Sequence, residues 1–358
     1  MPLSSFKNSV LARYLGRLAR KAVLFAGSVK VRLSSFLKRR PHRSFRRTYR
    51  RDYVRSLHLP GYWNFTKEVV AVLWRDRKVF ITVAVVYAVL TGLLVGFASQ
   101  ESYSQLNETI AESGGDLFDG NWGQLGQAGL VFLATITGGI NNAPTEAQQI
   151  YGVLISLLTW LTTVWLLRNI LAGHKVRARD GMYSAGAPLL PTFLVSLMIV
   201  LQLLPLVLAL IGYSAAQASG LLAGGVEAML FWIVAGLLAT LSLYWVTSTF
   251  IALVIVTLPG MYPYQALKTA GDVVVGRRIR ILLRLLWLAF ISLLTLVLVM
   301  LPVIIFDTWM KSMIAWLEWL PLVPIVLLLM SALGIVWGAA YVYILYRKVV
   351  DDDAKPAL

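Results

Sequence analysis

Apolar residues run in unbroken stretches of membrane-spanning length, and the polar residues fall between them. Six spans are predicted on that pattern: 79–98, 150–173, 187–213, 226–258, 281–306 and 320–346. Each has the roughly 20 residues that a helix needs to cross about 30 Å of hydrocarbon. The fourth is too long for an upright crossing, because its residues at about 1.5 Å each come to roughly 50 Å. It is expected to tilt, to bend near Thr247-Ser248-Thr249, or to project from the bilayer. Ala128 to Ile140 is apolar over only about a dozen residues, a length that suits a re-entrant or interfacial segment.

Helical spacing recurs outside the spans. Leu11, Leu15, Leu18, Ala22 and Phe25 form one stripe, and Arg13, Arg17, Arg20 and Lys21 lie mostly off it. That is the pattern of a basic amphipathic helix able to lie among lipid headgroups. Two shorter amphipathic units each end in bases and feed into a span. Pro60-Gly61-Tyr62-Trp63 opens the first, with Phe65, Val69, Val72 and Leu73 as its stripe and Arg75, Arg77 and Lys78 at its end. Met261-Tyr262-Pro263 opens the second, with Tyr264, Leu267 and Val274 on one side and Arg277, Arg278 and Arg280 at its end. Proline suits a first helical turn, where its missing donor has no partner anyway. Both units read as in-plane elbow helices or as basic flanks of the spans they precede. Arg284, one turn into the fifth span, is expected to snorkel to the interface.

Charge orients this layout. Twenty of the 33 Lys and Arg lie before Val79, against Asp52, Glu68 and Asp76, while the rest of the chain is close to neutral. The loops 174–186 and 259–280 are basic, and Ser99 to Gln149 has six acids and no base. The positive-inside rule then puts both termini and the basic loops in the cytoplasm. Trp309, Trp316 and Trp319 at one end, and Tyr341, Tyr343 and Tyr346 at the other, suit interfacial belts.

Only 14% of residues are charged and 58% are hydrophobic, whereas a soluble domain carries about a quarter charged. The chain therefore divides into a basic arm (1–58), a membrane domain (59–348) and a short acidic tail (349–358). The fold class expected is an all-α transmembrane bundle. The arm's bases suit nucleic acid in principle, but joined to membrane spans they face anionic lipid first. The acid-poor, Arg- and Ser-rich arm also matches an organellar transit peptide, and a cleavable secretory signal is the third reading. The bilayer itself and anionic headgroups are the expected partners, contacted by Arg13, Arg17, Arg20, Lys21, Arg75, Arg77, Lys78, Arg277, Arg278, Arg280 and Arg284. A membrane-protein partner is a further candidate, and no nucleic acid is expected.

The segment Ala-Leu-Lys-Thr-Ala-Gly-Asp-Val-Val-Val-Gly-Arg-Arg-Ile-Arg-Ile, Ala266 to Ile281, resembles an inner-loop segment of the membrane domain attached to some glycerophosphodiester phosphodiesterases, and of related six-helix bacterial membrane proteins. The resemblance extends to layout from about Leu59 to Lys348. It departs at Thr269-Ala270, where that family often has a Ser. It implies a six-helix membrane fold and transfers no catalytic residue. Ala266 to Gly271 also resembles the coupling-loop helix of importer permeases, without the usual Glu-Ala-Ala opening.

Little in the chain suggests chemistry. There is no Cys, so disulfides and thiolate sites are excluded. His42, His58 and His174 lack the spacing of metal ligands, and no glycine-rich phosphate loop is present. Asp116 to Asn121 lacks the ligand ladder of a calcium loop, and Asn107-Glu108-Thr109 is a glycosylation sequon. Asp307, Glu227 and Arg168 sit near span ends, so no buried carboxylate relay is expected. Gln202, Ser242, Thr247, Ser248, Thr249 and Ser331 are candidates for bonds between helices, and Gly152, Gly236, Gly334 and Gly338 for close helix approach. No catalytic residue, cofactor or metal is expected. The function expected is a non-enzymatic scaffold, lipid-interacting protein or accessory component of the cytoplasmic membrane, or alternatively of an organellar one. A permease subunit serving a separate ATPase is the alternative function, and a lipid-modifying enzyme is third.

Overall fold

A computed structural model of the chain describes residues 59–96, 145–313 and 321–354. The basic arm, the segment Ala128–Ile140, the sequon, Asp116–Asn121, Trp316 and Trp319 lie outside these residues. Nine α-helices are found among the described residues: α1 (Tyr62–Arg75), α2 (Arg77–Leu94), α3 (Glu146–Leu171), α4 (Ala178–Ala185), α5 (Leu189–Ala218), α6 (Val226–Ile255), α7 (Pro263–Val274), α8 (Arg278–Met313) and α9 (Leu322–Ala354). Six of them, α2, α3, α5, α6, α8 and α9, are long and apolar enough to cross a membrane. The six expected spans are all present, and each helix edge falls within several residues of its expected place except for α8 and α9, which run on to Met313 and Ala354.

Local sequence sets the helix ends. Pro60-Gly61 opens α1, where the Phe65 amide donates to the Gly61 carbonyl at 2.9 Å. Asp76 then leaves helical geometry (φ −112°, ψ 32°), so α1 and α2 are separate helices joined by one residue. Thr145 caps α3: its hydroxyl accepts from the Gln148 amide, and its own amide donates to the Gln148 side chain at 2.9 Å. That reciprocal pair satisfies two donors that the first turn leaves orphaned. Pro263 occupies the first turn of α7, as expected, and Gly276 at φ +78° makes the turn into α8.

The centre is a four-way packing of α2, α3, α9 and the end of α6, with α1 laid across α9. Val83, Tyr87, Leu166, Leu167, Ile251 and Tyr341 are among its buried side chains. Within it Tyr87 and Thr162 share a hydrogen bond of 2.8 Å between α2 and α3. Helices α5 and α6 pack as a hairpin. Pro205 interrupts the hydrogen-bond ladder of α5, and the Leu206 amide donates to the Ser242 hydroxyl of α6 at 3.1 Å. One turn away, the Thr249 hydroxyl donates to the Gln202 side chain at 2.7 Å. Of the six polar candidates, these three side chains do join helices. Thr247, Ser248 and Ser331 bond instead to carbonyls of their own helices.

The long α6 is resolved into two functional lengths. From Val226 to Leu241 its side chains are mostly exposed, and from Val246 to Val256 nearly all are buried. Helix α7 folds back along this buried end. Arg278, the first residue of α8, reaches the level of Tyr244, where its guanidinium lies 4.1 Å from the ring centroid and donates to the Tyr244 carbonyl at 3.2 Å. Val226 to Tyr244 measures about 27 Å at 1.5 Å per residue, close to one hydrocarbon thickness. The surplus is the protein-enclosed final third.

Two packing expectations need correction. The buried stripe of α7 is Ala266, Ala270 and Val274, while Tyr264 is 77% exposed. Small side chains at i and i+4 let α7 approach α6 closely, whereas a tyrosine there would hold the two apart. Similarly, a side chain at Gly236, Gly334 or Gly338 would meet nothing within 4 Å, so these glycines do not mark close contacts. Gly236 sits on the exposed half of α6. The close approach is at Gly181 in α4, where an added Cβ would come within 2.7 Å of the Leu166 side chain.

Candidate functional site

The base-rich end of the bundle gathers α1, the end of α3, the start of α8 and the last turns of α9. The expected headgroup residues divide sharply here. Arg75, Arg77, Lys78 and Arg280 are exposed and Arg278 is half-buried. Arg75 pairs with neighbouring Asp76 at 3.1 Å. Arg13, Arg17, Arg20 and Lys21 lie outside the described residues.

Arg277 and Arg284 overturn the expectation: only 2% and 6% of their surfaces are exposed. Neither snorkels. Arg277 donates to the Val349 carbonyl of α9 at 3.4 Å. Arg284 donates to the Pro60 carbonyl, just before α1. Its guanidinium also lies 4.3 Å from the Tyr62 ring centroid and 5.5 Å from that of Phe65. Arg168 behaves likewise, donating to the Thr257 carbonyl beyond the end of α6 at 3.1 Å. What the three share is a guanidinium donating to a main-chain carbonyl of another segment. At Arg284 the planar, weakly hydrated group also stacks on rings. Snorkelling is favoured when the alternative is lipid. Here the alternative is a polar seam between helix ends.

Around Arg284 the aromatic side chains interlock. Phe65 meets Tyr341 edge-on with centroids 4.8 Å apart, and Trp287 packs against Tyr62 at 5.5 Å and Trp63 at 5.2 Å. The Trp287 indole donates to the Thr66 hydroxyl at 3.1 Å, and that hydroxyl donates to the Tyr62 carbonyl at 3.0 Å. Glu68 and Lys348 form an ion pair of 2.7 Å between α1 and α9. Thus α1 is pinned along its length to α8 and α9.

Sequence reasoning assigned α1 a single apolar stripe, and its core-facing members Phe65 and Val69 are fully buried as expected. A second apolar face was missed. Trp63, Val70 and Trp74 are exposed, and with Thr66, Lys67 and Ala71 they line a groove of about 360 Å³ whose surface is almost wholly apolar. The spacing 63, 66, 67, 70, 71, 74 was legible as one helix face. Its significance depended on knowing that the other face was already occupied.

At the opposite end, Asp307 lies within α8, not past the end of the fifth span as expected, and is 1% exposed. Lys311 one turn on bonds it at 2.8 Å. Among the described residues, no group of three His, Asp or Glu side chains is placed to hold a metal.

The fold and this end of the molecule define the class: an all-α protein with six membrane-spanning-length helices, and hence a multi-pass membrane protein. No family model, curated protein or solved structure matches the chain.

Proposed function

We propose that the chain is a non-enzymatic scaffold of the cytoplasmic membrane, with the base-rich end and both termini on the cytoplasmic side, and that it works by engaging anionic lipid headgroups there. The observation that carries this reading is the division of labour among the bases. Arg168, Arg277 and Arg284 are turned inward onto carbonyls and lock the helix ends, while Arg75, Arg77, Lys78 and Arg280 face outward around the same end. The inner set makes a rigid platform, and the outer set gives it a positive rim. Each base near an anionic bilayer surface contributes roughly 1 kcal/mol of attraction. The resemblance to the phosphodiesterase-linked membrane domain is consistent with this reading, since what it implies is a membrane module without catalytic residues of its own.

Thermal unfolding of the full-length protein in nanodiscs tests the proposal. Phosphatidylglycerol discs should raise the midpoint over phosphatidylcholine discs, and the difference should shrink as salt screens charge over about 8 Å. Equal midpoints in both lipids would refute the lipid role. Hydrolysis of ATP or of a lipid phosphodiester by the pure protein, abolished by one substitution, would refute the non-enzymatic one. A permease subunit is the second reading, favoured by the outward face of α7, where Tyr262 and Tyr264 are strongly exposed. Stoichiometric co-purification of an ATPase, lost on Tyr264→Ala, would replace the scaffold reading with it.

A further inference from the structure

We infer that the groove on α1 is a binding site for a single anionic phospholipid, with an acyl chain lying between Trp63 and Trp74 and the phosphate met by Lys67 and Arg77. The inference rests on the lipid-engaging reading above and assigns it a place.

The groove is a shallow, open trough along one face of α1. Its two walls are indole rings 11 residues apart on one helix, about 16 Å along the axis. Each is braced: Trp63 stands edge-on against Trp287, and the Arg77 guanidinium lies 5.0 Å from the Trp74 centroid. Between them the floor is made by the small side chains of Thr66, Val70 and Ala71. An elongated apolar ligand can therefore lie along small side chains between two indoles that each already have a neighbour, with Lys67 beside it.

Charge selects the occupant. Lys67 is the one ionisable residue lining the groove. The nearest acids in sequence, Glu68 and Asp76, are engaged by Lys348 and Arg75. Lys67, Arg77 and Lys78 are exposed, and among the described residues none of them pairs with a carboxylate. A chain with a negative headgroup complements this arrangement. The arm of this protein does not, since it has no acid before Asp52. A second copy would bring the same bases face to face, and a choline headgroup would set a cation beside them.

Native mass spectrometry of the full-length protein released from detergent, with phosphatidylglycerol or phosphatidylcholine added at equal concentration, tests the site. One phosphatidylglycerol should be retained in preference to phosphatidylcholine. Lys67→Gln, which removes a charge-assisted contact, should weaken that retention about tenfold. Ala71→Phe, which fills the floor from an exposed position, should abolish it, and Lys175→Gln on another exposed loop should leave it intact. Equal retention of the two lipids would overturn the inference, as would a Lys67→Gln protein that holds phosphatidylglycerol as well as Lys175→Gln does. So would a mass doubling that displaces lipid, which would mark a second copy as the occupant. If anionic nanodiscs stabilise the protein while Lys67→Gln retains its lipid, the lipid role stands and this site falls.

Discussion

Replacing Arg284 by Met should destabilise the protein by about 2 kcal/mol, and the sign of that change is a direct test of how the base-rich end is held. Met matches much of the side chain's length and removes the charge. The loss includes a charge-assisted hydrogen bond to the Pro60 carbonyl, worth roughly 1.5–3 kcal/mol, and the stacking on Tyr62 and Phe65, worth roughly 2 kcal/mol where water is excluded. Against this stands relief of the cost of enclosing a cation, which is several kcal/mol for a deeply buried ion and smaller for a weakly hydrated guanidinium near the end of the bundle. The loss is the larger. In a membrane domain of this size the shift should be about 3 °C in midpoint, followed by tryptophan fluorescence in nanodiscs. Trp63 and Trp287 lie beside the site, so their emission should change along with the midpoint. Arg284→Lys keeps the charge but not the planar stack and should fall between. A Met variant as stable as the native protein, with unchanged emission, would show that desolvation cancels the contacts and that Arg284 is not a staple.

Gly181→Ala would press a Cβ to 2.7 Å from the Leu166 side chain and should cost about 1–3 kcal/mol, measured by thermal unfolding, with Leu166→Ala in the same chain recovering part of the loss. Tyr87→Phe and Thr162→Val each remove one half of the buried α2–α3 bond. Each should cost about 1 kcal/mol, and the double variant less than their sum, in a double-mutant cycle. Because the native chain has no Cys, single cysteines can report topology with impermeant maleimide. Labelling from outside intact cells is expected at Gln105 and not at Val176, Thr269 or Asp352, and labelling at Thr269 would disprove the orientation.

What the sequence reveals well is whatever depends on length and on one-dimensional pattern. The spans were readable because crossing hydrocarbon demands a long apolar run whatever its neighbours are. Pro263 and the stripe of Phe65 and Val69 were readable because caps and amphipathic faces are local. Contacts between distant segments were not. Nothing near Arg284 announces that Pro60, 224 positions earlier, supplies its acceptor, so the rule for an isolated helix in lipid was applied to a residue that is not in lipid. The same limit explains Ala266 and Ala270, whose small size matters only once α6 is known to lie beside them. It also explains Gly181, whose need for a hydrogen in place of a side chain is dictated by Leu166.

The turn between α5 and α6 bears on how the protein is made. Gly220, Gly224 and Gly225 all adopt positive φ (72°, 139° and 89°), a region that a side chain makes costly. The residues from Ser219 to Gly225 carry no charge. A connection so short and so neutral offers nothing costly to move through the hydrocarbon core. The two helices it joins are also stitched together by Ser242 and Thr249. During synthesis the pair is expected to enter the bilayer as one folded hairpin, with its polar groups already satisfied, and not as two helices threaded in turn. A charge placed at Gly224 should therefore slow insertion of both helices together, which glycosylation-site or protease-protection mapping of nascent chains would register.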